Sequence, residues 1–191
     1  MNVAIVDYGV GNLHSLNKAL IACGATPRIV TDPAELSTAA RIVLPGVGAF
    51  GAAASRLEPF RPALEAARRR RVPILGICLG MQLLFESSEE SPGARGLGWL
   101  QGNVWTLRHA TVPAMGWNNI ETTRSDALSE ANEHYYFVHS FVAPDSRATA
   151  ATASHGVPYP AEVAEGSVRG VQFHPEKSGA AGLRLLARWL A

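Results

Sequence analysis

The chain has 191 residues, of which 47% are apolar and 17% charged, and its formal net charge is +1. This length and apolar content suit one domain with its own buried core, and so small a net charge supplies no bulk field for nucleic acid or a membrane surface. Cys23 and Cys78 are the only cysteines; they have no metal-ligand spacing and a chain of this size needs no disulfide staple, so a reducing cytoplasm, no metal and no cofactor are expected.

The first residues, NVAIVD, form a short β-branched run that predicts a buried strand. This run meets Asp7 before a signal-length apolar core develops. GNLHSLNKALIACG follows, with Leu13, Leu16, Leu20 and Ile21 at helical spacing and Gly24 to close the helix. PRIVT predicts a second strand. In DPAELSTA, Asp32 is placed to cap a helix and Pro33 to begin it. ARIVLPG predicts a third strand, and helical segments from about Gly51 to Arg71 follow it. The arginines at 68–71 read as a solvated helix end. VPILGI predicts a fourth strand and LGMQLLFESS a helix; the apolar run from Val72 to Phe85 is too short to span a bilayer.

Strands alternating with helices predict an α/β fold with an open, mostly parallel sheet flanked by helices. The C-terminal half differs. GNVWTLR, YYFVHSFVA, residues 148–154, YPAEVAEG and VRGVQFH predict short strands that add antiparallel pairs to the sheet. SGAAGLRLLARWLA predicts a final amphipathic helix with Leu183, Leu186 and Leu190 on one face. No repeat or linker divides the chain, so 1–191 reads as one domain.

Gly76-Ile77-Cys78-Leu79-Gly80 has the form G-x-C-x-G where the fourth strand gives way to a helix. That is a thiol version of the nucleophile elbow, a tight turn with a strained central residue and glycines that let strand and helix approach closely. The helix N-terminus favours a thiolate. A buried structural cysteine is the competing reading. Cys23, beside a helix-ending glycine, reads as packing. Among six histidines, His174 ends an apolar strand, where reactive groups collect in a parallel sheet. Pro175 biases it towards an extended conformation, and Glu176, two residues on, is placed to orient its imidazole. His139 is the rival base, but no acid lies at the matching offset, so it reads as structural or peripheral. Gly46, Gly48 and Gly51 match a G-x-G-x-x-G dinucleotide fingerprint. It follows the third strand, however, and the nearest acid at the expected offset, Glu65, lies in a helical stretch. The alternative is an oxyanion hole, with a backbone N–H from Val47 or Gly48 beside that of Leu79.

GICLGMQ together with HPE near the C-terminus resembles the class I, triad-type glutamine amidotransferases. DYGVGN (7–12), LPGVGAFG (44–51), GICLGMQLLFESSEE (76–90), MGWN (115–118) and FHPEKS (173–178) occur in this order over essentially the whole chain. This series resembles the glutaminase subunits of imidazole glycerol phosphate synthases. Glutaminases serving anthranilate or pyridoxal phosphate synthesis are the alternatives; MGWN and HPEKS favour the histidine pathway. The resemblance implies glutamine hydrolysis with Cys78 as nucleophile, His174 as acid/base and Glu176 as its partner. It also implies glutamine contacts at Gly48, Gln82, Glu90 and Ser140, and a separate (β/α)8 cyclase subunit met at Asn12, Trp117, Tyr136 and Lys177. Ala114, where a larger polar residue is frequent, and Ser140-Phe141, where Thr-Tyr is frequent, depart from the pattern.

Overall fold

A computed structural model describes residues 1–191. In chain order the elements are β1 (Asn2–Val6), α1 (Leu13–Ala22), β2 (Thr26–Val30), β3 (Arg41–Leu44), α2 (Phe50–Leu57), α3 (Arg61–Arg69), β4 (Ile74–Ile77) and α4 (Leu79–Gln82). There follow β5 (Ser87–Ser88), β6 (Asn103–Thr106), β7 (Ala114–Asn119), β8 (Glu121–Thr122), β9 (His134–His139), β10 (Phe141–Val142), β11 (Thr149–His155), β12 (Val157–Glu165), β13 (Val168–Val171) and α5 (Gly179–Leu190).

The main sheet runs β2-β1-β3-β4-β13-β12-β11-β8. Its first five strands are parallel, and β12, β11 and β8 extend it antiparallel. Alternation within the strands divides the core into two layers. Ala4, Val6, Ile42 and Leu44 face Phe50, Leu57, Phe60 and Leu64 from α2, α3 and the turn between them. Val3, Ile5, Val43 and Leu75 face Leu16 and Leu20 of α1 and Leu185, Leu186 and Trp189 of α5. Burying both faces is what makes these strands near-continuous apolar runs. Strand order reverses between β1 and β3, so the loops after β1, β3 and β4 open at one carboxyl edge, where such sheets place their sites. No helix is long and apolar enough to cross a membrane.

Several expectations change in detail. The helical stretch from 51 to 71 is interrupted by a 3₁₀ turn at Glu58–Phe60, where Pro59 supplies no donor. The predicted helix after Cys78 makes only one turn, Leu79–Gln82. Leu83, Leu84 and Phe85 are all fully buried, which a two-sided helix cannot achieve with three adjacent residues. The chain unwinds there, and its carbonyls accept from Leu97, Gly98, Trp99 and Leu100. The segment YYFVHSFVA breaks at Ser140: β9 pairs with β7 in a separate two-stranded ribbon, and β10 joins β6 and β5 in a third sheet. On α1, Ile21 is 55% exposed, and on α5 Leu183 is 37% exposed. The buried stripe of α5 is centred on Leu185, Leu186, Trp189 and Leu190.

Candidate active site

Strand β4 is fully buried up to Ile77, and Cys78 then turns the chain at φ 53°, ψ −110°. A positive φ in a residue with a Cβ costs about 1–3 kcal/mol. Packing leaves no other route. A Cβ on Gly76 would lie 2.6 Å from the Gly80 carbonyl oxygen, and one on Gly80 would lie 1.9 Å from the Leu44 carbonyl oxygen. The Cys78 N–H donates to the Val171 carbonyl at 2.7 Å, and its carbonyl accepts from Gln82 N at 3.1 Å. The sulfur is thus fixed from both sides. Since α4 is a single turn, free N–H groups rather than a long helix dipole supply its positive field.

His174 is extended, as Pro175 requires. Glu176 reaches it through a 3₁₀ turn over Pro175–Lys177 rather than along an extended strand; the Lys177 N–H closes that turn on the His174 carbonyl at 3.0 Å. His174 Nδ1 and Glu176 Oε1 are 2.8 Å apart, with side chains 2% and 4% exposed. Burial works against a charged imidazole, but the Cys78 sulfur and the Glu176 carboxylate outweigh it and push His174 up to about 10. Nε2 makes no hydrogen bond of normal geometry. The thiol donates instead to the Val138 carbonyl at 3.8 Å. Cys78 and His174 are therefore not hydrogen-bonded to each other in this arrangement. His139 differs: burial drives it down to about 4, only partly offset by its contact with the Phe141 carbonyl. A neutral imidazole packed on Tyr159 results.

Cys78 lies in a cavity of ≈ 310 Å³ whose walls include Val47, Gly48, Leu79, Gln82, Glu90 and Ser140, all singled out from sequence. His139 and three residues that sequence reasoning missed, Pro113, Val138 and Phe141, complete it. The Val47 and Gly48 N–H groups donate to no protein acceptor, nor does that of Ser140. Gln82 is buried, and its Nε2 donates to the Phe141 carbonyl at 3.0 Å and to Gln172 Oε1 at 3.1 Å. Glu90 Oε2 accepts from Phe50 N at 2.7 Å, capping α2. A wider depression of ≈ 690 Å³ near Arg61, Glu86 and Arg95 contains none of these groups. Two glycines of the dinucleotide-like motif have packing roles: a Cβ on Gly46 would lie 2.6 Å from Gly80 N, and one on Gly51 2.9 Å from Ser91. Glu65 accepts from the Trp99 indole, on the α3 side of the molecule.

Trp117 and Tyr136 pair across the β7–β9 ribbon with ring centroids 6.1 Å apart, and Lys177 Nζ lies 5.8 Å from the Tyr136 ring. Trp117 is 57% and Met115 65% exposed. Three of the four residues expected to meet a partner thus form one surface cluster. Asn12 lies at the start of α1, capping Ser15 N at 3.2 Å. It also lines a narrow cleft with Gly46, Val47, His174 and Glu176. Cys23 sits at the C-terminal end of α1, its thiol donating to the Leu183 carbonyl at 3.3 Å.

Residues 4–190 match the family described as glutamine amidotransferase class-I. The chain is 45% identical to the imidazole glycerol phosphate synthase subunit HisH of Methanopyrus kandleri, over 100% of this chain and 98% of that protein. It is 45% identical to the protein of the same name from Thermococcus kodakarensis, over 96% of each. Among solved structures, a glutamine amidotransferase superposes with a TM-score of 0.79 at 19% identity, covering 98% of this chain and 96% of that one. The glutaminase domain of Trypanosoma brucei CTPS with bound acivicin superposes with a TM-score of 0.73 at 15% identity, covering 100% and 92%. Both structural likenesses establish the fold.

Proposed function

The chain belongs to the class-I glutamine amidotransferase family, and from that premise we propose that it is the glutaminase subunit of an imidazole glycerol phosphate synthase. It hydrolyses glutamine to glutamate and ammonia. The ammonia passes to a cyclase subunit that makes imidazole glycerol phosphate and aminoimidazole carboxamide ribotide in histidine biosynthesis. Relatives of that name, alike over nearly their whole length, support the assignment. The observation that carries the chemistry is a strained cysteine in the wall of a cavity, together with a buried histidine–glutamate pair 2.8 Å apart.

The reaction follows from these groups. The proton of Cys78 goes to His174, and the thiolate attacks the side-chain carbonyl carbon of glutamine. The N–H groups of Leu79 and of Val47 or Gly48 take the oxyanion. His174 then gives its proton to the departing ammonia, leaving a thioester. Water, deprotonated by His174, releases glutamate. Glu176 orients the imidazole and stabilises its charge. The Gln82 carbonyl oxygen and Glu90 receive the α-ammonium group, and the Ser140 N–H receives the α-carboxylate, joined by the Gly48 N–H where Val47 supplies the oxyanion donor.

One domain, 1–191, does this work in the cytoplasm, in a heterodimer with a (β/α)8 cyclase. Trp117, Tyr136, Lys177 and Asn12 meet that subunit. Hydrolysis waits for the loaded cyclase, because turning a peptide within Gly46-Val47-Gly48 presents or withdraws an oxyanion donor, worth about 10²- to 10³-fold in rate. The decisive experiment measures glutamate release by the chain alone and with a barrel cyclase and ribotide ligand, with co-purification of the two. Strong stimulation and a stable complex are expected. Full turnover by the isolated chain, or failure to bind the cyclase, overturns the reading.

A further inference from the structure

Gln172 has no place in the reaction above, yet it is completely buried and touches the sulfur. Its side-chain Nε2 lies 3.7 Å from Cys78 Sγ, within donor reach for an atom of sulfur's radius. Its backbone is held by the Gln172 N–H to the Ala161 carbonyl at 2.9 Å. Oxygen and nitrogen of an amide are easily confused, but the surrounding network decides between them here. Gln82 faces the Phe141 carbonyl, which only accepts, so the group at 3.0 Å must be the Gln82 NH₂. That NH₂ also lies 3.1 Å from Gln172, so Gln172 must present its oxygen to it. The Gln172 NH₂ is then turned towards Cys78.

We propose that Gln172 is a further catalytic residue, whose amide donates an N–H to the Cys78 sulfur and stabilises it as the thiolate; this rests on Cys78 being the nucleophile. The chemistry favours one state. A neutral thiol is a weak acceptor and leaves a buried N–H poorly partnered, whereas a thiolate makes a charge-assisted bond with it. When the Cys78 proton moves to His174, the negative charge left on sulfur meets a donor already in position. Gln82 holds that donor in register and at the same time lines the cavity. A glutamine in the cavity therefore touches a residue that sets the orientation of the Gln172 amide.

The test is alkylation of Cys78 by iodoacetamide, which reads the thiol without requiring turnover. It is run in the Cys23→Ala background with Gln172 or with Gln172→Met, which keeps length and volume but removes the donor. The Met variant is expected to react about tenfold more slowly at pH 7, with its pH–rate profile moved to higher pH, because a hydrogen bond to a charged group is worth roughly this factor or more. Its kcat falls while KM for glutamine changes little. Identical alkylation profiles would overturn the proposal, whereas absence of glutaminase activity in the parent assayed with the cyclase and ribotide ligand would instead count against the function. Should Gln172→Met fail to fold, the parent chain decides alone. Gln82, Gln101 and Gln172 are its only glutamines, so ¹⁵N-glutamine labelling reduces the side-chain amides seen by NMR to three, among which that of Gln172 is assigned through its backbone. That resonance is expected to titrate in step with Cys78 alkylation and to lose this step in Cys78→Ala. An amide signal indifferent to the state of Cys78 would remove Gln172 from the site.

Discussion

Two stretches of backbone face the same cavity and are built in opposite ways. At the β4–α4 elbow, Gly76 and Gly80 are glycine because no volume is left for a methyl group. At 46–48 the base of the loop is equally tight: Gly46 lies against Gly80, and the buried Tyr8 hydroxyl donates to the Pro45 carbonyl. Its tip is open. Gly48 has φ 100° and nothing within 4 Å of a hypothetical Cβ, and Val47 is 41% exposed. Glycine thus serves two ends around one cavity. In one it removes bulk so that sulfur is held in a single place. In the other it permits a backbone conformation and leaves a peptide free to turn.

Substitutions on the two sides should differ in kind. The largest effect belongs to the elbow. Cys78→Ala is expected to lower glutamine turnover by roughly 10⁴-fold or more, with ammonia-dependent synthesis by the partnered complex retained and the melting temperature little changed. Measurable glutamine hydrolysis at a wild-type rate would remove sulfur from the mechanism. Next come the groups behind it. His174→Gln should cost about 10²- to 10⁴-fold in kcat, and Glu176→Gln less, since it acts through the imidazole. The reverse ranking in steady-state kinetics would exchange their roles.

The glycines sharpen the contrast directly. In Gly80→Ala the new methyl would meet the Leu44 carbonyl oxygen, so a loss of about 3 kcal/mol is expected in urea unfolding. Gly48→Ala meets no atom and strains only φ, for about 1 kcal/mol, yet should lower turnover by more than its stability loss explains. Equal unfolding effects would mean that the two stretches are equally packed. The last effect is in pH. His174 is raised from 6.5 to about 10 in the folded chain. Between those values the native state binds more protons than the unfolded state, so stability falls as pH rises. The contribution is complete below pH 6.5 and gone once pH passes about 10. Urea midpoints across this range should decline more in wild type than in His174→Gln, and parallel curves would show that the histidine's charge is not stabilised by folding.

Much of the site was legible in sequence because its logic is local. G-x-C-x-G names its own turn, and a histidine before proline names its own extended backbone. The pairing of Glu176 with His174 was anticipated, though a 3₁₀ turn and not strand periodicity brings it about. What stayed hidden depends on partners far along the chain. The single turn of α4 follows from loop 97–100 satisfying the carbonyls of residues 83–85. The break at Ser140 follows from β9 and β10 finding different sheets. Pro113, Val138 and Phe141 reach the cavity through that same rearrangement. Gln172 did carry a signal: it stands two residues before His174, the spacing that puts side chains of an extended segment on one side.

Strand β9 has one more property. Its residue Tyr136 accepts from the His174 N–H at 2.9 Å and donates its own N–H to Ser178 Oγ at 3.0 Å, while that hydroxyl donates to the His174 carbonyl at 2.6 Å. Two residues further on, the Val138 carbonyl receives the Cys78 thiol. The same strand pairs outward with β7, which carries the exposed Trp117 and Met115. It works as a short crossbar, paired with β7 at the surface and bolted at two points, to His174 and to Cys78. A push on the ribbon would be delivered to the His174 backbone and the Cys78 sulfur together.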